Sequence, residues 1–317
     1  MTKQNHNGNN SNQTGASKKK PVSAYRKLRR VFAKTPLRAP LVWLRHRDVN
    51  PTDVIFAAYP KSGTTWLRFV LFEMLSGMPA GFKATNQLMP GIGLHKNALR
   101  LLPAGGRLLA THEHYRKDYH RAIYVVRDGR DVLLSEYAFL KALDFYREDV
   151  DHFVKTFLFT VVSAYGPWHK HVNGWLDSPI AGTDNMMLVR YEDLRKDPLP
   201  GFVRMAEFLG VNVDEEKIRT AVANNSIQNM REKEDREPVR ASIRGRFVRD
   251  GAVRGWVSKL TPEQVALIEK HAGPALLRLG YPLSSDLIAE AAQRRLTVNQ
   301  VSDAVLRGTE DVSSFGA

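Results

Sequence analysis

The chain has no cysteine among its 317 residues. A disulfide framework and a thiolate metal site are therefore both excluded, and a reducing compartment is the natural setting. Long apolar runs are missing as well. No stretch reaches the roughly 18 residues of a membrane span, and the uncharged run 156–168 is too short and too polar to serve as one. Residues 1–17, "MTKQNHNGNNSNQTGAS", lack the apolar core of a signal peptide and read as a polar leader, so the expected address is the cytoplasm. Acidic residues are absent from positions 1–47, which hold 12 of the 47 Lys and Arg. The remaining 35 basic residues face 33 acidic ones, so the net charge of +14 belongs to an appendage on a nearly neutral body. That distribution is unlike a dedicated nucleic-acid binder, and no nucleic-acid partner is expected.

What is present divides the chain into four parts: the leader 1–17, a basic arm 18–50, a body 51–283 and a tail 284–317. The arm interleaves its charges with Tyr25, Leu28, Val31, Phe32, Leu41, Val42 and Trp43. Such a pattern suits either a solvated arm packed on the body or, through residues 18–47, peripheral contact with an anionic membrane surface. Pro36 and Pro40 limit the length of any helix there. In the body, "VIFAAY", "GRLLATH", "RAIYVV" and "NMMLVRYEDL" read as strands that alternate with helical patterns such as "RDGRDVLLSEYAFLKAL" and "LPGFVRMAEFLG". The alternation predicts an α/β fold with a central parallel β-sheet flanked by helices.

Two loops at strand ends attract attention. "YPKSGTTW" follows the first strand and opens a helix, offering Lys61, Ser62, Gly63, Thr64 and Thr65 around uncapped backbone N–H groups. Such a loop is an anion cradle, because the helix N-terminus adds the positive end of its dipole. It is not the nucleoside-triphosphatase loop, whose lysine follows its second glycine. "IYVVRDGRDVLLSEY" repeats the architecture, with Arg127 at the strand end and Ser135 about two helical turns on. A guanidinium and a hydroxyl converging there suit a phosphate monoester; the blander alternative is an Arg–Asp network among Asp128, Arg130 and Asp131.

These two motifs, with "GPWHKHVNGW", "LVRYEDLRKDP" and "FVRDGAVRGW" in the same order, resemble the cytosolic-type sulfotransferases, enzymes that use 3′-phosphoadenosine-5′-phosphosulfate (PAPS). The resemblance runs from about Asp53 to Pro282 and implies a P-loop nucleoside-triphosphate-hydrolase-like sulfotransferase fold. It implies that Lys61, Ser62, Gly63, Thr64 and Thr65 hold the 5′-phosphosulfate and that Trp66 stacks near the adenine. Arg127 and Ser135, joined by Arg249 and Gly251, would bind the 3′-phosphate. Tyr191 would line the adenosine side, with Ser226 and Ile227 flanking the base. Ile227 stands where the family usually has an aromatic.

The resemblance also implies a mechanism: in-line sulfuryl transfer to a hydroxyl acceptor, with His112 as base and Lys61 stabilising the leaving oxygen, and no metal required. The family often has lysine two residues before this histidine, where Ala110 stands here. His114, His169 and His171 supply no complete ligand set, so no metal site is expected. His171, within the "GPWHKHVNGW" signature, is expected beside the acceptor. A homodimer is left open, since Val257 and Pro262 replace residues of the dimerisation motif known in relatives. Two other readings stand beside this one: a P-loop-type nucleotide kinase or phosphotransferase, and a membrane-binding adaptor driven by the basic arm.

Overall fold

A computed structural model describes residues 38–160, 165–239 and 243–286. The polar leader, most of the basic arm and the tail beyond residue 286 lie outside the described residues.

Four short strands follow the apolar runs: β1 (Val54–Ala58), β2 (Leu108–Thr111), β3 (Arg121–Val126) and β4 (Met186–Arg190). They form one sheet in the order β2-β1-β3-β4, with every neighbouring pair parallel. All five residues of β1 are buried, which is why its sequence is continuously apolar instead of alternating. Successive side chains feed opposite faces. Ile55, Ala57 and Tyr59 join Leu109, Tyr124, Trp168 and Trp175 on one side; Val54, Phe56 and Ala58 join Leu67, Phe202 and Met205 on the other. Ala58 is in register with Val125, so β1 and β3 end together and their following loops open at the same edge of the sheet.

The helices that cover these faces are α1 (Arg38–His46), α2 (Thr64–Ser76), α3 (Phe82–Leu88), α4 (Gly129–Ala142), α5 (Val150–Phe159), α6 (Trp168–Leu176), α7 (Tyr191–Lys196), α8 (Pro198–Leu209), α9 (Glu215–Asn224), α10 (Ile227–Arg236) and α11 (Pro262–Arg278). α8 is closed by Gly210 in the left-handed conformation, as its sequence predicts. One boundary differs from expectation: "YEDLRK" is the short helix α7, not a continuation of the strand. Its acidic first turn and basic last turn match the helix dipole.

Of the basic arm, the structure describes α1, which tolerates Pro40 in its first turn. His46 Nε2 lies 2.6 Å from the Tyr119 hydroxyl and Arg45 Nη2 donates to the Ile92 carbonyl at 2.7 Å, which fastens the helix to the body. Leu41, Trp43 and Leu44 remain exposed. Among the described residues no helix is long and apolar enough to cross a membrane. At the start of the sheet, the Asp53 carboxylate accepts from the Arg107 guanidinium at 2.6 Å and from its backbone N–H at 3.0 Å, both side chains being buried. This pair aligns the beginnings of β1 and β2.

Candidate active site

The loop after β1 turns sharply because two consecutive demands fall on it. Lys61 adopts φ +70° and Gly63 φ +84°, both left-handed. Gly63 is the N-cap of α2 and provides no side-chain cap; the Trp66 N–H donates to the Gly63 carbonyl at 3.1 Å, which leaves the Thr64 and Thr65 N–H groups for an anion. The Lys61 ammonium lies 4.0 Å from the centre of the Phe139 ring and 4.5 Å from that of Phe247. A cation held over two aromatic faces is both oriented and partly desolvated.

At the end of β3, Arg127 fastens this loop to a distant part of the chain. Its Nη1 donates to the Lys61 carbonyl at 3.0 Å and its Nη2 to the Ala252 carbonyl at 2.9 Å. Its Nε is buried with no partner. The N-terminus of α4, unlike that of α2, is already filled: the Asp128 carboxylate accepts from the Arg130 N–H at 2.9 Å. The Arg–Asp network therefore also exists, and it is buried, not superficial. Arg130 pairs with Asp128 at 2.7 Å and with Glu269 at 2.6 Å, while Asp131 accepts from the backbone N–H groups of Arg254 (2.8 Å) and Trp256 (2.9 Å). Burial raises the Asp131 pKa despite the positive charge of Arg127. Its task is to draw the loop 249–256 across the sheet edge.

One cavity results. Lys61, Gly63, Thr65 and Trp66 from the first loop line it, together with Arg127, Asp131 and Ser135 from β3 and α4. Tyr191, Ile227, Arg249 and Gly251 complete the side opposite. Tyr191 spans the two halves: its ring packs on Gly63, and its hydroxyl donates to the Gly251 carbonyl at 3.0 Å. Trp66 meets Tyr191 edge-on at 6.1 Å and Arg195 sits 5.4 Å from the Trp66 ring centre. The lining carries five cationic side chains (Lys61, Arg127, Arg195, Arg249, Lys259) against two carboxylates, Asp131 and Asp250. Asp131 is committed to backbone N–H groups, and Asp250 has Lys259 3.7 Å away. The excess favours an anionic ligand.

A second cavity lies on the other side of the first loop. Thr64, Arg68, Phe56, Asn86, Gly91, Ile92, Ala110, Thr111, His112 and Tyr165 are among its lining. His112 follows β2, and its Nδ1 lies 2.7 Å from the carbonyl oxygen of Ala58 at the end of β1. A carbonyl can only accept, so Nδ1 carries the proton and Nε2 keeps its lone pair in the neutral ring. Burial pushes the His112 pKa down; the bond to Ala58 opposes this, and the charges of Arg68 and Lys61 add to the lowering. The imidazole is thus a neutral acceptor of protons. No group of three or more His, Asp or Glu side chains suited to a metal occurs among the described residues.

The structure places several of the expected residues away from the first cavity. His171 is fully buried and does not line the cavity that holds His112. Its Nε2 donates to the carbonyls of His112 and Glu113, each at 3.1 Å, and its Nδ1 accepts from the Tyr124 hydroxyl at 3.0 Å. It positions the backbone that presents His112. Ser226 does not line the first cavity; its hydroxyl caps α10 by accepting from the Asn229 N–H at 3.2 Å. Thr64 faces the second cavity instead of the first. Ser62 is buried beneath the loop with its hydroxyl unpartnered. The sequence reading missed Phe247, Arg195 and Lys259 around the first cavity, and Arg68, Asn86 and Tyr165 around the second. Arg68 alone had a visible signal, a charge in an otherwise apolar stretch of α2.

The unpartnered Arg127 Nε and the uncapped first turn of α2 both fit an anionic ligand with charge at two ends. Comparison with known proteins agrees with this chemistry. A sulfotransferase domain family model matches residues 51–280. The chain is 26% identical over 263 residues to cytosolic sulfotransferase 16 of Arabidopsis thaliana, covering 71% of this chain and 76% of that protein. It is 27% identical over 240 residues to human sulfotransferase 2A1, covering 70% and 83% respectively. Among solved structures, mouse sulfotransferase SULT7A1 complexed with PAP superposes with a TM-score of 0.59 at 21% identity, over 81% of this chain and 94% of that one. Retinol dehydratase in complex with retinol and PAP gives 0.59 at 19%, over 74% and 84%. The fold, the order of the motifs and the family match lead to one conclusion: the chain belongs to the sulfotransferase family.

Proposed function

We propose that this enzyme transfers the sulfuryl group of PAPS to the hydroxyl of an acceptor, with His112 as general base. The observation that carries the reading is the shared edge of β1 and β3. There a single cationic cavity is lined by Lys61 and Thr65 from one strand end and by Arg127 and Ser135 from the next, with His112 beside it at the end of β2.

When bound, the donor supplies an activated sulfuryl group and a bisphosphoadenosine leaving group. Lys61, Gly63, Thr65 and the N–H groups at the start of α2 would hold its 5′ end. Arg127, Ser135, Arg249 and Gly251 would hold the 3′-phosphate, and Trp66, Tyr191 and Ile227 the adenosine. Lys61 is placed by Phe139 and Phe247 to stabilise negative charge beside the loop, a preorganised electrostatic contribution. His112 Nε2 takes the acceptor proton, its ring held in the correct tautomer by the Ala58 carbonyl. The 112–113 backbone is held in turn by His171.

The test is transfer from radiolabelled PAPS to a panel of phenols, alcohols and glycans, with products identified by mass spectrometry. Labelled products should form with the parent, and both Lys61→Ala and His112→Ala should fall by about 100-fold or more at unchanged fold. Full activity in His112→Ala would remove it as the base. Failure of the parent to bind 3′,5′-bisphosphoadenosine would overturn the donor assignment.

A further inference from the structure

Helix α2 carries only two charged side chains, Arg68 and Glu73. Glu73 is fully answered: Lys233 pairs with it at 3.1 Å, and the Ala80 N–H (2.8 Å) and the Asn224 amide (3.1 Å) donate to it. Arg68 is answered only by neutral groups. Its Nη2 donates to Asn86 Oδ1 at 2.8 Å and to the Met89 carbonyl, while its Nε is buried without a partner. No carboxylate pairs with it among the described residues. Burial alone draws its pKa down to about 10, so the guanidinium remains charged at neutral pH. Arg68 is half-buried, with only its Nε fully enclosed, and a partly desolvated cation without a counter-ion gains when an anion is brought to it.

This guanidinium lines the same cavity as His112. Arg45 lines it too, bonded to the Ile92 carbonyl and 3.5 Å from Glu113. The lining contains two arginines and a histidine but neither Asp nor Glu. The cavity, of about 310 Å³, suits a small molecule.

We infer that the acceptor taken by this cavity bears an anionic group, a carboxylate or a phosphate or sulfate ester, that pairs with Arg68 while its hydroxyl faces His112. This rests on the proposed transfer reaction and narrows its acceptor class. The pairing explains why a charge stands on the cavity wall where an apolar residue would continue the helix face. It also sets the acceptor apart from a purely apolar alcohol, which would leave the guanidinium unpaired and desolvated on binding.

Matched probes test it. Turnover would be compared for 4-hydroxyphenylacetate against its methyl ester, and for 4-hydroxyphenyl phosphate against 4-methoxyphenol. Binding of each probe would be followed by calorimetry to the enzyme alone and to its 3′,5′-bisphosphoadenosine complex. In the parent at least one anionic probe should exceed its neutral partner about tenfold or more in kcat/KM or affinity. The two pairs separate a carboxylate from a phosphate preference. In Arg68→Gln the preference should fall to near unity, while bisphosphoadenosine affinity is unchanged. No anion preference in either pair, by turnover or binding, would overturn the inference. So would an equal loss for anionic and neutral probes in Arg68→Gln. The parent comparison needs no variant to fold. Loss of bisphosphoadenosine binding by the parent would instead count against the donor site, and anion binding to the enzyme alone would still decide this one.

Discussion

The aromatic ring of Tyr191 occupies the space that a side chain on Gly63 would need: a Cβ there would lie 2.4 Å from both Cδ2 and Cε2. Gly63 also has φ +84°. Any side chain at this position strains the backbone and expels the Tyr191 ring that lines the proposed donor cavity. Gly63→Ala is therefore expected to weaken 3′,5′-bisphosphoadenosine binding by at least about tenfold and to cost about 1–3 kcal/mol of stability. Gly77 is the control. It has φ +69°, but a Cβ added there would meet nothing within 4 Å, so Gly77→Ala should lose stability and keep its nucleotide affinity. Calorimetric titration of both variants checks the pair, and equal loss of affinity would show that strain alone is responsible.

Arg127 joins two segments by bonding the carbonyls of Lys61 and Ala252. Arg127→Ala removes the charge proposed to bind the 3′-phosphate and also releases the loop that carries Arg249 and Gly251. A charge-assisted contact is worth about 1.5–3 kcal/mol, so bisphosphoadenosine affinity should fall about 10- to 100-fold. Arg127→Lys should recover only part of this, because one ammonium cannot span both carbonyls. Titration of the three proteins decides it, and parent-like affinity in Arg127→Ala would remove the 3′-phosphate from this site.

How much of this was legible in the sequence follows from the range of the interactions. β1, β3 and the loops after them were readable because an apolar run, a glycine and a helix start are local signals. Their adjacency at one sheet edge is given by the parallel register of Ala58 with Val125. The position of His171 was misjudged although a local signal existed: Trp168, His171, Val172 and Trp175 recur at the i, i+3, i+4, i+7 spacing of a buried stripe. The second cavity was not legible. It is assembled from α1, α2, α3, the end of β2 and Tyr165, segments that meet only through tertiary packing. Lys61 resting between Phe139 and Phe247 was equally hidden, since its two partners lie 78 and 186 positions further along the chain.

With His112 as the proposed base, the acid limb of activity should report its titration. Its pKa is lowered, chiefly by burial and further by the charges of Arg68 and Lys61, while Glu113 and the Ala58 carbonyl pull it upward. The base therefore keeps its lone pair below the usual imidazole value of about 6.5, and the acid limb of kcat/KM should fall below that pH. Removing a nearby positive charge raises the pKa. Arg68→Gln should accordingly move the limb to higher pH, as a pH profile of kcat/KM would show. A limb unmoved or shifted downward would place Arg68 too far from the imidazole to influence it.

His171 gives a stability prediction that is independent of catalysis. Burial foremost, and the neighbouring His114, bring its pKa down to about 3, well under its unfolded value of 6.5. Between those limits the unfolded chain binds a proton that the folded chain refuses, so stability is complete above about pH 6.5 and declines as the solution is acidified. For one such group the slope approaches about 1.4 kcal/mol per pH unit. His171→Gln removes the titration while leaving an amide able to meet the Tyr124 hydroxyl or the carbonyls of residues 112–113. The variant should be less stable than the parent at pH 7, through imperfect packing, but lose less on going to pH 5. Urea unfolding at pH 7, 6 and 5 measures both slopes. Parallel slopes would mean that His171 is protonated alike in both states, and the buried neutral ring that supports His112 would have to be abandoned.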